Sequence, residues 1–349
     1  MDYSKIVEPL LGWYAQNART LPWRDHPTPY RVWISEIMLQ QTRVETVKPY
    51  FERFLREVPD VYALAELPEE RLLKLWEGLG YYSRARSLKK AAAVLVERYG
   101  GELPASVEEL KKLPGIGDYT AGAVASIAFG LPEPAVDGNV LRVAARLTDS
   151  HRNISDSAWK REVRENLRKI YPKENAGAFT QSLMELGATV CLPNGGPVCG
   201  VCPLASLCQG FRAGTAPLLP VRSAKTKRKT ENRTVFLILC GTAVAVRKRP
   251  ENGLLAGMWE FPGAEESLSP EKAKAVLKGW GLSPKSLQPL PAAKHVFSHV
   301  EWHMTGYLAR VPQTSPGFVW PKIRDLPEQY AIPSAFRAYR KILDAGKIP

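Results

Sequence analysis

Four of the five cysteines of this 349-residue chain lie within a span of eighteen residues. They are Cys191, Cys199, Cys202 and Cys208, and no cysteine precedes them. Thiols gathered so closely are typical of a zinc site or an iron–sulfur cluster, and either would fix the fold of the loops that carry them. Structural zinc sites usually have two close cysteine pairs, and only Cys199 and Cys202 form one here. The spacing therefore favours a 4Fe–4S cluster over zinc.

The apolar pattern changes along the chain from helical to strand-like. Up to about residue 210, apolar residues recur three and four positions apart, which predicts several short helices. Residues 212–232 are rich in Pro, Ala and basic side chains, and predict either a solvated tether or a segment that follows a phosphate backbone. Alternating runs with strand character follow. We predict a multidomain protein with an all-α domain over 1–211, a basic linker over 212–232 and an α+β domain over 233–349.

The net charge of +13 and the pI near 9.5 favour nucleic acid or an anionic membrane as partner, although a generally basic proteome would give the same balance. The longest apolar run, 234–246, is too short to span a membrane and predicts two buried strands joined by a turn. The first residues, MDYSKIVEPL, lack the apolar core of a signal peptide. We therefore expect no membrane partner, reduced cysteines and a cytoplasmic protein, on the nucleoid of a bacterium or in the nucleus of a eukaryote.

The stretch LPGIGDYTAG contains two glycines, Gly115 and Gly117, between two predicted helices. Glycines at such a turn leave the backbone bare, so the N–H groups at the start of the second helix can point at an anion. This design grips a DNA phosphate without reading bases. A plain helix–turn–helix connection is the alternative.

Glu36 stands in an apolar part of the stretch WISEIMLQQT. On a helical wheel it falls within the arc formed by Val32, Trp33, Ile37 and Gln40. Burial of an unpartnered carboxylate costs several kcal/mol or leaves the group protonated. The pattern therefore predicts a costly acid with a raised pKa.

A second acid, Asp137, precedes Gly138, Asn139 and an apolar-periodic helix. This position is typical of an N-cap, which alone needs no functional explanation. It follows the glycine turn by about twenty residues, and that proximity favours a functional interpretation.

Taken together, these motifs resemble the helix-hairpin-helix DNA glycosylase superfamily of the endonuclease III type, and within it most closely the A/G-mismatch adenine DNA glycosylases, the MutY family. The resemblance covers essentially the whole chain and occurs in the family's order. The matching segments are TLPWR (20–24), WISEIMLQQT (33–42), GLGYYSRAR (78–86), LPGIGDYTAG (113–122), VDGNV (136–140), the cysteine set and FSH (297–299).

The resemblance implies a two-lobed helical domain, with a six-helix lobe over about 22–135 and a cluster lobe built from about 1–21 and 136–211. It also implies that double-stranded DNA lies in the basic mouth between the lobes, with the target base flipped inward. The 4Fe–4S cluster would be structural. One departure is the seven residues between Cys191 and Cys199, where the family commonly has six.

By the same resemblance, Glu36 is the general acid that protonates adenine N7, and Asp137 stabilises the oxocarbenium ion and the attack of water. The chemistry agrees with these roles, because a neutral purine is a poor leaving group unless it is protonated. Desolvation raises the pKa of a carboxylic acid, so that the acid keeps a proton to donate. Asp137 must stay ionised, and a helix N-terminus favours its anion. We therefore expect the two pKa values to be pushed apart. Tyr119 stands where strand-cutting relatives have a Schiff-base lysine, which implies a monofunctional enzyme.

The resemblance also assigns residues around the flipped and the opposite base. Trp23, Arg24 and Gln181 would line the adenine pocket, with the Gln181 amide reading the purine edge. A second group would contact the stack at the lesion: Gln41 and Tyr81 as wedges, with Thr42 and Leu79 beside the opposite base. Trp23 and Tyr81 are equally compatible with core packing.

The C-terminal domain resembles a NUDIX fold, because GLLAGMWEFPG (253–263) looks like the strand and turn before a NUDIX helix. The catalytic pattern is missing, since Ser269 stands where a Glu is expected and Glu271 is the only carboxylate from 271 to 290. We therefore predict a recognition domain without a magnesium site. Phe297, Ser298 and His299 resemble the family's 8-oxoguanine-reading loop.

The leading prediction is thus a monomeric, monofunctional DNA repair glycosylase acting on A:8-oxoguanine or A:G mispairs in double-stranded DNA, with repair or replication proteins as further partners. Three alternatives stay open at this point. They are a bifunctional glycosylase/lyase for oxidised pyrimidines, a non-catalytic DNA-binding cluster protein and a NUDIX hydrolase.

Overall fold

The computed structural model describes residues 2–193, 196–223 and 227–344. Part of the predicted linker (224–226) and two residues between the first two clustered cysteines (194–195) lie outside the described residues. The chain forms two compact units, one from Met1–Leu67 and Arg86–Ala224, the other from Pro68–Ala85 and Lys225–Pro349. The predicted change from helices to strands is confirmed, since every named strand starts at or after Lys229.

Helices occur in both units. In sequence order they are α1 (Val7–Asn17), α2 (Pro29–Leu39), α3 (Val44–Glu57), α4 (Val61–Glu66), α5 (Glu69–Leu75), α6 (Ser83–Tyr99), α7 (Val107–Leu110), α8 (Asp118–Phe129), α9 (Gly138–Leu147), α10 (Ser157–Arg168), α11 (Ala176–Thr189), α12 (Gln209–Arg212), α13 (Pro270–Gly279), α14 (Leu326–Gln329) and α15 (Arg337–Asp344).

Local sequence explains where the helices around the cavity begin. Pro29 occupies the first turn of α2, and the Thr28 hydroxyl caps that helix by accepting a hydrogen bond from the Arg31 N–H. Asp137 caps α9 in the same way. Gly117 caps α8 without a side-chain hydrogen bond, which leaves the first N–H groups of α8 without a side-chain cap.

Helix α8 is the centre of the first unit and packs against α2 and α11. It is built from small residues, and its positions 120–126 are all buried. A Cβ on Gly122 would lie 2.5 Å from the Pro134 carbonyl oxygen, and one on Gly177 of α11 would lie 2.9 Å from the Ser126 carbonyl oxygen. Gly177 therefore allows the close backbone approach between α11 and α8, and Gly122 allows that between α8 and the segment at Pro134.

The second unit contains the strands β1 (Lys229–Cys240), β2 (Ala243–Val244), β3 (Arg247–Lys248), β4 (Trp259–Glu260), β5 (Gly263–Ala264), β6 (Ser286–Val296) and β7 (Val300–Arg310). The main sheet has the order β2-β1-β7-β6, and β5 also pairs with β1. Strands β1 and β7 are parallel, the other pairs are antiparallel, and β3 and β4 form a separate ribbon.

Strand β1 is buried on both faces of the sheet. Val235, Leu237 and Leu239 pack in a core with α15, whereas Phe236 and Ile238 pack in a second core with α13. A strand covered on both sides needs a continuous apolar run, which is what 234–239 provides. The prediction of two buried strands joined by a turn is confirmed, because β1 and β2 pair as a hairpin through Gly241 at φ +58°.

Residues 68–85, which include α5, belong to the second unit. The sequence-based division instead placed them in the six-helix lobe. Ion pairs and hydrogen bonds explain the grouping: Arg340 lies 2.6 Å from Glu77, and the Lys74 ammonium donates to the Tyr330 carbonyl at 3.1 Å. The predicted domain boundaries at 211 and 232 stay a prediction. They differ from the observed units in the assignment of residues 68–85.

Across the described parts of the chain, no helix is both long enough and apolar enough to cross a membrane.

Candidate active site

A cavity of about 340 Å³ lies in the first unit, between the loop before α2, the C-terminal end of α2 and the helices α8, α9 and α11. It is lined by eight residues that sequence motifs had singled out: Trp23, Arg24, Glu36, Gln41, Thr42, Tyr119, Asp137 and Gln181. Two acids, a phenol, a guanidinium and an amide thus converge on one space large enough for a small ring system.

Glu36 lies in the last turns of α2 and is 5% exposed. Its neighbours Trp33 and Ile37 are buried as well, so the predicted burial of this acid is confirmed. The pKa of Glu36 is raised to about 7, mainly by burial and in smaller part by the charge of Asp137. A hydrogen bond from Tyr119 and the charge of Arg24 act in the opposite direction. Glu36 can therefore hold a proton near neutral pH.

Tyr119 lies in the first turn of α8, and its hydroxyl donates a hydrogen bond of 2.6 Å to Glu36 Oε2. Burial and the charges of Glu36 and Asp137 raise the pKa of this phenol well above its ordinary value. Tyr119 is therefore a neutral donor that favours the charged form of Glu36 and orients its carboxyl group.

Asp137 accepts three hydrogen bonds at the N-terminus of α9. The backbone N–H groups of Asn139 and Val140 donate to Oδ1 at 2.9 and 2.8 Å, and the Asn139 amide donates to Oδ2 at 2.7 Å. Burial raises the pKa of Asp137, although these donors oppose the rise. The pKa of both acids is therefore raised, because desolvation acts on both carboxyl groups and outweighs the donors at Asp137. The expected separation of the two pKa values stays a prediction.

The cavity wall beside α11 contains an acid that sequence reasoning missed. Glu185 is 1% exposed and lies one helical turn after Gln181. It forms ion pairs with Arg19 at 2.6 Å and Arg24 at 2.8 Å. Burial raises the pKa of Glu185, but hydrogen bonds from both arginines outweigh it and the net direction is downward. An acid among the apolar residues of α11 is the same signal that identified Glu36.

Arg24 links Glu185 to Gln181. Its Nε donates to Gln181 Oε1 at 2.9 Å, and its Nη1 donates to the Arg19 carbonyl at 2.9 Å. Trp23 beside it is buried and packs edge-on against Phe51, with 5.7 Å between ring centroids. Trp23 therefore serves both as a core aromatic and as cavity lining.

Gln41 and Thr42 follow the end of α2. Gln41 is exposed and has a φ of +59°, in the left-handed region that non-glycine residues rarely adopt. The Thr42 N–H donates to the Leu39 carbonyl at 3.2 Å, which closes this turn. The strained, exposed position of Gln41 at the rim of the cavity is typical of a functional residue.

The glycine turn has the geometry expected of a hairpin between α7 and α8. Gly115 has a φ of +79°, and a Cβ there would lie 2.5 Å from the Ser87 Cβ. Gly117 begins α8 in an extended conformation with open space around it. The turn thus leaves the first N–H groups of α8 without a side-chain cap and, because of its glycines, without side chains that would block an anion from reaching them.

The four clustered cysteines lie after α11. Cys191 is buried, and its Sγ accepts a hydrogen bond of 3.2 Å from Arg146, while Cys208 donates to the Arg146 carbonyl at 3.2 Å. Burial raises the pKa of Cys202 to about 11, and the other three thiols contribute to that rise. The four side chains therefore lie within electrostatic range of one another. Within 2–193, 196–223 and 227–344, no three potential ligands are arranged to hold a metal ion.

The remaining predicted residues lie in the second unit. Tyr81 is 50% exposed with a φ of +48°, whereas Leu79 is buried and its carbonyl accepts a hydrogen bond of 3.1 Å from Arg84. The Arg84 guanidinium also lies 5.5 Å from the Tyr81 ring centroid. Like Gln41, Tyr81 is an exposed non-glycine residue with positive φ.

The FSH sequence forms the turn between β6 and β7. Phe297 packs edge-on against Trp302 and His295, and its N–H donates to the Val300 carbonyl at 2.8 Å. Ser298 and His299 are exposed. The Ser298 hydroxyl lies 2.8 Å from the Tyr81 hydroxyl, within the same unit.

Comparison with known proteins gives two domain matches. Residues 34–173 match the HhH-GPD superfamily of base excision DNA repair proteins, and residues 234–342 match the NUDIX domain. Among solved structures, a thermostable thymine-DNA glycosylase is 28% identical, with a TM-score of 0.56 over 60% of this chain and 97% of that one. A non-covalent endonuclease III–DNA complex is 30% identical, with a TM-score of 0.52 over 60% and 95%.

Similarity over nearly all of this chain is found to adenine DNA glycosylases. The rat protein is 34% identical over 97% of this chain and 79% of its own length. The human protein is 34% identical over 95% and 73%, and that of Buchnera aphidicola subsp. Acyrthosiphon pisum is 31% identical over 99% and 97%. The predicted fold class, helix-hairpin-helix followed by NUDIX-like, is confirmed. This chain belongs to the adenine DNA glycosylase (MutY) family of base excision DNA repair enzymes and is a DNA glycosylase, a hydrolase of N-glycosyl bonds.

Proposed function

We propose that the enzyme removes adenine mispaired with 8-oxoguanine or guanine, by flipping adenine into the 340 Å³ cavity and hydrolysing its N-glycosyl bond. The observation that carries this proposal is the buried Glu36, whose pKa is raised to about 7 beside Asp137 and Tyr119. A neutral purine is a poor leaving group, because it must depart as an anion unless it is protonated first. Glu36 can supply that proton at neutral pH.

In the proposed reaction, Glu36 gives its proton to adenine N7, and the bond between C1′ and N9 then breaks. The base leaves with the bonding electrons, and positive charge develops on the sugar. The Asp137 carboxylate, held by three hydrogen bonds, stabilises that charge and directs water to C1′. The proton released by the water must reach Glu36, so that the enzyme ends the cycle with Glu36 protonated and Asp137 ionised as at the start.

The proposed activity is monofunctional. A glycosylase that also cuts the strand needs an amine nucleophile, and position 119 carries a tyrosine whose hydroxyl is engaged with Glu36. The uncapped N-terminus of α8 with Gly115 and Gly117 would hold a DNA phosphate without reading sequence. The net charge of +13 supports the same partner, double-stranded DNA.

The cysteine set fits a 4Fe–4S cluster held by Cys191, Cys199, Cys202 and Cys208. The other three thiols all act on the pKa of Cys202, which supports a shared ligand set made of these four side chains. When bound, the cluster would supply a structural cross-link rather than reaction chemistry. Iron and acid-labile sulfide in stoichiometric amounts would support this assignment, and zinc would contradict it.

In the second unit, recognition of the opposite base is proposed for the FSH turn with Tyr81 and Leu79. In the first unit, Gln41 and Thr42 are proposed to contact the DNA stack at the cavity. Ser298 would probe the edge of 8-oxoguanine, and the exposed, strained Gln41 and Tyr81 would enter the stack. The NUDIX-like domain would recognise the lesion and would not hydrolyse nucleotides. Its helix α13 is capped by Ser269, where a catalytic domain has a Glu, and carries one carboxylate, Glu271.

The test is a single-turnover assay on duplexes with A opposite 8-oxoguanine, G or T, scored with and without alkali. We expect rapid loss of adenine opposite 8-oxoguanine, slower loss opposite G, none opposite T, and strand cleavage only with alkali. Glu36→Gln should lower the rate by at least about 10²-fold, whereas Glu45→Gln, on the exposed surface of α3, should not. An unchanged rate in Glu36→Gln would contradict the proposed acid. A covalent DNA adduct with borohydride would contradict the monofunctional mechanism.

A further inference from the structure

At α11 the wall of the cavity contains a hydrogen-bond network of Glu185, Arg24 and Gln181, which has no part in the proposed reaction steps. It begins at Glu185, which is buried and accepts hydrogen bonds from the Arg19 backbone at 3.1 Å and from Arg19 Nε and Nη2 at 2.6 and 3.0 Å. Its Oε2 also accepts from Arg24 Nη2 at 2.8 Å. A buried carboxylate that accepts four hydrogen bonds is firmly held.

Arg24 is consequently fixed on three sides. Its Nη2 is held by Glu185, its Nη1 by the Arg19 carbonyl at 2.9 Å, and its Nε by Gln181 at 2.9 Å. The guanidinium is planar, with its donors in a rigid fork, so three contacts on three nitrogens determine both its position and its plane.

A guanidinium can only donate hydrogen bonds, so the atom of Gln181 that faces Arg24 must be the amide oxygen. The two donors of the Gln181 amide nitrogen then point away from Arg24. Gln181, Arg24 and Glu185 all line the cavity. The side chain that borders the base therefore presents N–H groups, and its carbonyl is already engaged.

We propose that Glu185 is a positioning residue which, through Arg24, fixes the direction of the Gln181 amide and thereby selects a base with a ring-nitrogen acceptor at that edge. This inference rests on the proposed function, since it assumes that adenine occupies this cavity. Adenine offers N1, N3 and N7 as acceptors, and N7 is assigned to Glu36. Gln181 would then donate to N1 or N3. Where that acceptor is N1, guanine and hypoxanthine would be rejected, because they carry N1–H, which would oppose the Gln181 donors.

The neighbouring charges suit this role. Arg19 and Arg24 share the single negative charge of Glu185, so this part of the wall stays cationic. A cationic wall disfavours protonation of the base on this side and leaves Glu36 as the proton donor. In this arrangement the α11 side of the cavity recognises the base, and the α2 side, which carries Glu36, protonates it.

The test compares wild type, Glu185→Gln and Glu185→Asp in single-turnover assays opposite 8-oxoguanine. The target bases are adenine, 1-deazaadenine and 3-deazaadenine, and each of the two analogues lacks one ring acceptor. We expect wild type to lose about tenfold on one of the two analogues, because a buried donor is left unpaired. In Glu185→Gln, where Arg24 loses its carboxylate, that difference should shrink to about twofold. Glu185→Asp should restore part of it.

Glu174→Gln, at an exposed acid just before α11, is the matched control and should retain the wild-type difference. Should Glu185→Gln not fold, Gln181→Glu tests the same point, because a carboxylate presents only acceptors and the analogue difference should again vanish. A folded Glu185→Gln enzyme with the full wild-type difference overturns the inference, as does a wild type that treats all three bases alike. If wild type does not excise adenine at all, the proposed function fails together with it.

Discussion

Arg142 and Cys191 are joined by a hydrogen bond of 2.8 Å, from the guanidinium Nε to the cysteine carbonyl. The same buried guanidinium donates to Asn139 Oδ1 at 2.9 Å, and the Asn139 amide donates to Asp137 Oδ2 at 2.7 Å. A continuous chain of hydrogen bonds therefore runs from the first clustered cysteine to an acid of the cavity. Arg142 is 3% exposed, so its bond to Cys191 is shielded from water, whereas the two bonds of the Asn139 side chain are part-buried.

The first prediction concerns the middle of this chain. Asn139→Ala removes one of the three donors to Asp137 and the acceptor for Arg142, so Asp137 should be less well oriented and less stable as an anion. We expect the single-turnover rate to fall by about 10- to 100-fold, as for other outer partners of a reacting group. Iron content and visible absorbance should not change. The control is Asn17→Ala at an exposed amide of α1, and a wild-type rate in Asn139→Ala would contradict this prediction.

The second prediction concerns pH and Tyr119. Glu36 must carry its proton to act as an acid, so the rate should fall tenfold per pH unit above about pH 7. At low pH the rate should fall again where Asp137, whose pKa is raised, gains a proton and loses its charge. Tyr119→Phe removes a hydrogen bond that lowers the pKa of Glu36, so the midpoint should move to higher pH. The measurement is a pH profile of single-turnover rates for both proteins, with Tyr99→Phe, whose hydroxyl contacts Glu109, as control. A midpoint that moves to lower pH would contradict the assigned role.

The third prediction concerns stability. The pKa of Glu36 in the folded protein, about 7, lies above its ordinary value of 4.5. Folding is therefore favoured by the protonated form, and stability is lost as pH rises from about 4.5 to 7. Since one pKa unit corresponds to about 1.4 kcal/mol, the loss approaches about 3 kcal/mol above pH 7. Glu36→Gln cannot ionise, so its melting temperature relative to wild type should rise between pH 5 and pH 8. Equal differences at both values would contradict the raised pKa.

The fourth prediction concerns the Ser298 hydroxyl, which lies 2.8 Å from that of Tyr81. Ser298→Ala removes the group proposed to probe 8-oxoguanine and frees the Tyr81 hydroxyl. We expect the preference for A:8-oxoguanine over A:G to fall by about fivefold, the value of one hydrogen bond. Single-turnover rates on both duplexes measure it, with Ser267→Ala, at an exposed position, as control. A preference that survives unchanged would remove Ser298 from lesion recognition.

The sequence indicated most of the cavity because its residues carry local signals. Glu36 is an acid in an apolar arc, and Asp137 is a cap before an apolar helix. Glu185 carried the same signal as Glu36, but its partners Arg19 and Arg24 lie about 160 positions away in sequence, and no local pattern links them. The raised pKa of Asp137 could not be predicted, since a cap is visible in sequence whereas the depth of its burial is not.

The limits of sequence patterns are clearest in the second unit. Strand β6 contains Pro289 and Pro291, which argue against a strand; it forms nonetheless because β6 lies at an edge of the sheet, where proline is tolerated. The stretch that continues past Gly241 is divided between two short strands, β2 and β3. The packing of 68–85 with the second unit depends on ion pairs between residues that are distant in sequence.

The Glu77–Arg340 ion pair closes a loop of 263 residues. During synthesis, residues 68–85 leave the ribosome long before the strands of their own unit exist, by on the order of ten seconds or more at ordinary elongation rates. Residues 68–85 therefore lack their packing partners during the time in which the first unit can already fold. Folding of the second unit is consequently late and depends on long-range contacts, because residues 68–85 can pack only after Arg340 has been synthesised.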